Sequence, residues 1–147
     1  MNKFLYSVLV ILPCVTINCS GTAHPASAGF RFHNSCGQPV ELIPVVREAE
    51  YEFKHREKQT IPDGNGIFFE ESLANYEEFD TPEESKVILT VLVNVGSETV
   101  GHVDFIRAFR PNPRVTFETE GSSHFKLRIQ CSKHGGGGPA TLEIIKK

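Results

Sequence analysis

Beyond residue 28, apolar and polar residues alternate with a period of two over most of the chain, and turn-forming residues close each run. Gly29 to His33 alternates and ends in the turn Asn34-Ser35-Cys36-Gly37-Gln38-Pro39. Val40 to Val46 predicts a second strand, with Pro44 marking an edge or a bulge. Glu48 to Thr60 is charged, with Tyr51, Phe53 and His55 alternating, and reads as a strand or an irregular excursion. Pro62-Asp63-Gly64-Asn65-Gly66 is a turn, and Ile67 to Glu70 a short strand.

Val87 to Val95 is the most apolar stretch beyond the N-terminal segment and predicts a central strand buried on both sides. Thr99 to Ala108, Val115 to Thr119, Phe125 to Cys131 and Thr141 to Ile145 complete the set. The only helix signal is the capped turn Thr81-Pro82-Glu83-Glu84. The pattern predicts an all-β, single-domain, antiparallel β-sandwich over residues 29–147, of Greek-key, immunoglobulin-like or cupredoxin-like type.

Residues 1–28 follow a different rule. Lys3 supplies a short basic start, and Phe4 to Ile17 is an apolar run broken only by Ser7, Pro13 and Thr16. A run this short suits a signal peptide better than a membrane span of about 20 residues. Gly21-Thr22-Ala23 and Ala26-Ser27-Ala28 both offer small residues for cleavage, after Ala23 or after Ala28. Cys19, preceded by Thr16-Ile17-Asn18, offers a third reading as a lipidated N-terminus on a short tether, which makes the chain a membrane-anchored lipoprotein. The expected destination is the periplasm or the cell exterior. The chain carries 15 basic and 18 acidic residues, and that balance argues against a nucleic-acid or anionic-membrane binder.

Export changes the reading of the cysteines. Cys14 and Cys19 fall in the leader, so Cys36 and Cys131 remain as an even pair in an oxidising compartment. A Cys36–Cys131 disulfide closes a loop of about 95 residues, a constraint of roughly 4–5 kcal/mol on the unfolded chain. The mirrored His33-x-x-Cys36 and Cys131-x-x-His134 also match a tetrahedral zinc ligand set, which that bridge excludes.

Cys131-Ser132-Lys133-His134, the glycines 135–138 and the strand Thr141-Leu142-Glu143-Ile144 resemble the last ligand loop and closing strand of the cupredoxins. Val93-Asn94 followed by Gly101-His102-Val103-Asp104-Phe105 is similar to that family's first ligand histidine after a core strand. The resemblance implies copper held by His102, Cys131 and His134 in an electron-transfer protein. The only methionine is Met1, and Pro139 stands about where the family's axial ligand falls.

Two loops are candidate contact surfaces. Glu70 to Glu84 is an acidic stretch that includes Glu77, Glu78 and Asp80 and reads as a solvated loop. Arg107, Arg110 and Arg114 flank Pro111-Asn112-Pro113 and can hold a carboxylate or an anionic glycan. No nucleophile elbow, P-loop, H-E-x-x-H or dinucleotide-binding glycine pattern occurs. The expectation is a non-enzymatic binding or envelope-interaction module that recognises a protein or glycan and carries no cofactor, with copper or lipid anchoring as the alternatives.

Overall fold

The computed structural model describes residues 16–19, 27–49, 51–72, 86–107, 114–131 and 139–147. Among them the chain forms only strands: β1 (Thr16–Cys19), β2 (Ser27–Ser35), β3 (Val40–Val46), β4 (Gln59–Ile61), β5 (Gly66–Ser72), β6 (Lys86–Val95), β7 (Glu98–Arg107), β8 (Arg114–Thr119), β9 (Phe125–Gln130) and β10 (Ala140–Lys146). They make a six-stranded sheet, β1-β8-β7-β6-β3-β4, and a four-stranded sheet, β5-β2-β10-β9. The anticipated helical turn at 81–84 lies outside the described residues.

The sheets meet through four phenylalanines, two from each. Phe30 of β2 stacks on Phe69 of β5 at 5.4 Å and meets Phe105 of β7 and Phe117 of β8, each at 6.1 Å. All four are buried, so the alternating positions that supply them form one core between two layers. Gly101 allows β7 to lie close to its neighbours, since a Cβ there collides with the Glu118 carbonyl and the Leu127 side chain.

One expectation about strand direction fails. β2 and β10 pair in parallel, Phe30 against Ala140 and Ile145 against Ser35. The two strands stand at opposite ends of the sequence and no hairpin joins them, so nothing forces the antiparallel arrangement. Pro44 sits where expected for a donor-free residue. Its strand is flanked by β6 from Glu41 to Val46, but β4 pairs only Val40, Glu41 and Leu42.

The parallel pair also separates the two cysteines. Cys131 follows β9 beside Ala140 and hence at the level of Phe30, whereas Cys36 follows the opposite end of β2. Six residues of extended chain, about 20 Å, lie between those levels. A disulfide needs Cα atoms within about 7 Å. The expected Cys36–Cys131 bridge is therefore not formed; Cys36 is a buried free thiol whose Sγ donates to the Gln38 carbonyl at 3.4 Å.

What ties that end of the sandwich is an amide. Asn34 is fully buried at the end of β2; its Nδ2 donates to the Gln38 and Ile61 carbonyls at 2.8 Å each, and its Oδ1 accepts from the Cys36 N–H at 3.1 Å. Its own backbone pairs with Gly64 and Asn65, and Asp63 caps the Gly37 N–H at 2.9 Å. Two of the chain crossings between the sheets, β2 to β3 and β4 to β5, are thereby held together. Asn34→Ala leaves two carbonyls and one N–H without that amide. We expect it to lower unfolding free energy by about 2–4 kcal/mol, read from urea denaturation at unchanged m-value.

Candidate functional site

Alternation along β7 sends Val103 and Phe105 into the core and leaves His102 and Asp104 on the outer face of the six-stranded sheet. Register with β8 places Glu118 directly opposite His102. The His102 Nε2 lies 3.1 Å from Glu118 Oε2 and 3.5 Å from Asp104 Oδ2, and its Nδ1 lies 3.7 Å from Glu120 Oε1. One imidazole thus sits among three carboxylates, only partly shielded from solvent.

Asp104 is oriented from its other side. The Thr90 hydroxyl donates to Asp104 Oδ1 at 2.7 Å and accepts from Arg47 Nε at 3.1 Å. This leaves Asp104 Oδ2 directed to the imidazole. When the ring is protonated, both nitrogens have carboxylate acceptors. When it is neutral, one lone pair and the carboxylates of Asp104 and Glu118 can converge on a cation, because one ligand atom from each lies within 4.8 Å of the others. That donor set, one imidazole and two carboxylates, suits zinc or manganese.

The ligand set implied by the cupredoxin resemblance is not brought together. Gly101 faces Leu127 of the second sheet, so His102 points away from that sheet, and Cys131 belongs to it. His134 lies outside the described residues, as do Glu77, Glu78, Asp80 and Arg110. The mirrored zinc motif is likewise split, since Cys36 and Cys131 mark opposite ends of the sheet. Arg114 opens β8, and Arg107 closes β7. Rather than standing free in a loop, Arg107 donates to the Tyr51 hydroxyl at 2.9 Å and lies over its ring.

A second polar group carries structural weight. Glu71, expected in a solvated acidic loop, is fully buried on β5, two residues after core Phe69. Its carboxylate accepts from the N–H groups of Lys54 and His55 at 2.7 and 2.8 Å, and lies 2.9 Å from His55 Nδ1. The His55 ring stacks on Phe69 at 4.3 Å. Together with the Arg107–Tyr51 contact, this fastens the 51–55 excursion to both sheets. At the start of β7, hydrogen bonding to Ser122, helped by His124, holds the Glu98 carboxyl below the ordinary carboxylate range. That pair is exposed and contributes little to stability.

Comparison with known proteins adds no relative: no family model matches the chain, and no curated protein matches it. The site residues were legible only in part. The cupredoxin resemblance singles out His102 as a copper ligand, but its carboxylate partners come from cross-strand register, which local sequence does not state.

Substituting Glu71 tests the buried anchor. Glu71→Ala strands two N–H groups and the His55 ring, and is expected to cost about 3–5 kcal/mol. Urea titration measures the loss, and Glu118→Gln on the outer face is expected to stay within about 0.5 kcal/mol of the parent.

Proposed function

We propose that the chain is an exported β-sandwich that acts without catalysis, as a binding module. Its contact surface is the outer face of the six-stranded sheet around His102, and its partner presents basic groups. The observation that supports this is the set of carboxylates, Asp104, Glu118 and Glu120, gathered on one imidazole at the surface. The acidic balance of the whole chain points the same way, since it attracts cationic partners and repels nucleic acid. Lysine or arginine side chains meeting this face find oriented acceptors.

The fold also bears on processing. β2 begins at Ser27, and Ala28 is buried opposite Glu71. A cut after Ala28 removes two residues of a packed strand, whereas a cut after Ala23 leaves β2 whole. The reading therefore takes His24 as the first residue of the exported protein. Expressed with its own leader, the protein is expected outside the cytoplasm with the mass of residues 24–147; a cytoplasmic product of full-length mass refutes export. The same mass spectrum reports a lipid on Cys19. Binding is tested with an arginine-rich peptide. Affinity is expected to fall with salt and to drop about fivefold in Glu118→Gln/Glu120→Gln, with Glu143→Gln on the other sheet unchanged. Equal losses in all variants refute the assigned face.

A second reading is favoured by one observation, the convergence of ligand atoms from His102, Asp104 and Glu118. In this reading the cluster binds a divalent cation. Zinc at one equivalent is expected to raise the melting temperature of the parent and to leave His102→Ala unchanged. No calorimetric heat with zinc or manganese ends this reading.

A further inference from the structure

The outermost strand of the six-stranded sheet comes from the segment that reads as the leader. β1 runs antiparallel to β8, Thr16 against Glu118, Ile17 against Phe117, Asn18 against Thr116 and Cys19 against Val115. Cleavage after Ala23 removes this strand and makes β8 the edge.

The register tells which groups it uncovers. Glu120 N–H bonds to the Val100 carbonyl at 2.9 Å, just beyond the unbroken β7–β8 ladder. Alternation from that pair turns the backbone groups of Glu118 and Thr116 toward β7, and those of Phe117 and Val115 toward β1. Ile17–Phe117 and Cys19–Val115 are therefore the hydrogen-bonded pairs. Loss of β1 leaves two N–H and two carbonyl groups along a straight edge whose side chains, Val115 and Phe117, belong to the core.

Two of the other edges, β4 and β9, are guarded in ways that β8 is not. β4 is three residues long, and β9 presents exposed Lys126 and Arg128. Between Val115 and Thr119, β8 has neither lysine nor proline, and its pairing shows no bulge. Such an edge is a template for another strand.

We propose that the exported form is a strand acceptor: β8 takes up, antiparallel, an extended segment of another polypeptide in the position that residues 16–19 hold in the full chain. This rests on the export reading above and gives it a specific mode of binding, β-augmentation. The donor has apolar or β-branched residues opposite Phe117 and Val115, which share the core face. It has a lysine or arginine opposite Glu118, which shares the outer face with His102 and Asp104.

The probe is a synthetic peptide of residues 15–22 carrying Cys19→Ser, titrated into the exported protein and followed by calorimetry. Binding is expected, with slower amide exchange at Val115 and Phe117. N-methylation at Ile17, whose N–H faces β8, is expected to weaken it at least about tenfold, and N-methylation at Asn18, whose N–H faces away, less than about twofold. The Thr16→Lys peptide is expected to bind more tightly, and to lose that gain in Glu118→Gln. Absence of binding, or equal effects of the two N-methyl groups, overturns the proposal, as does a stable dimer of the exported chain that protects both amides and ignores the peptide. Mass spectrometry separates the two failures. A product that retains residues 16–19 refutes export and leaves no edge to fill; one that begins at His24 and ignores the peptide refutes the strand acceptor alone.

Discussion

A single buried amide joins two of the crossings between the sheets, β2 to β3 and β4 to β5. Asn34 has no solvent exposure and uses donor and acceptor together, reaching Gln38, Ile61 and Cys36. A buried amide without partners destabilises a fold by several times the net value of one satisfied hydrogen bond. The geometry of the two crossings is therefore set by the amide as much as by the turns. Gly37 and Gly64, both with positive φ, provide backbone shapes that let these turns approach one another.

A second buried polar group acts at the far end of the same strand. Ala28, near the start of β2, pairs with Glu71, while Asn34 closes its other end. Glu71 fixes residues 54 and 55, and Asn34 fixes the Ile61 carbonyl and the turn beyond it. The segment from Tyr51 to Asn65 is thus pinned twice, with β4 between the pins. This explains how a three-residue strand persists at a sheet edge, where three residues of pairing are too few to hold alone. Pinned in this way, the segment buries Tyr51 and Phe53, which stack on one another and join the core.

Period-two alternation made most strands legible. The pattern gives Val40–Val46 to the residue and β6 to β10 to within one or two, and the continuous apolar run of β6 matches a strand buried on both sides over Ile88 to Val91. β4 is not resolved within the Glu48–Thr60 stretch, which reads as a strand or an irregular excursion, because three residues carry no periodicity. Glu71 looks solvated because it stands in an acidic run, and only the return of residues 54–55 reveals its donors. The cysteine pairing failed for a topological reason. Sequence spacing fixes the loop length of a bridge but not the end of the sheet at which each thiol emerges, and the parallel β2–β10 pair puts Cys36 and Cys131 at opposite ends. β1 was invisible because its residues satisfy two patterns at once, a signal segment and a short strand.

The polar cluster and the β8 edge are neighbours for one reason. On the outer face of the six-stranded sheet, the Arg47–Thr90–Asp104 relay and the backbone of residues 47–48 bonded to Ile88 lie toward the start of β6. Further along, over β7 and β8, charged residues can face water at no desolvation cost, and His102, Glu118 and Glu120 gather there. β8 contributes Glu118 from its outer face, while the backbone of Phe117 and Val115 reaches β1. A partner strand laid on that edge meets the carboxylates at its first residue. Charge thus selects the direction and register of the strand, and the backbone supplies the pairing.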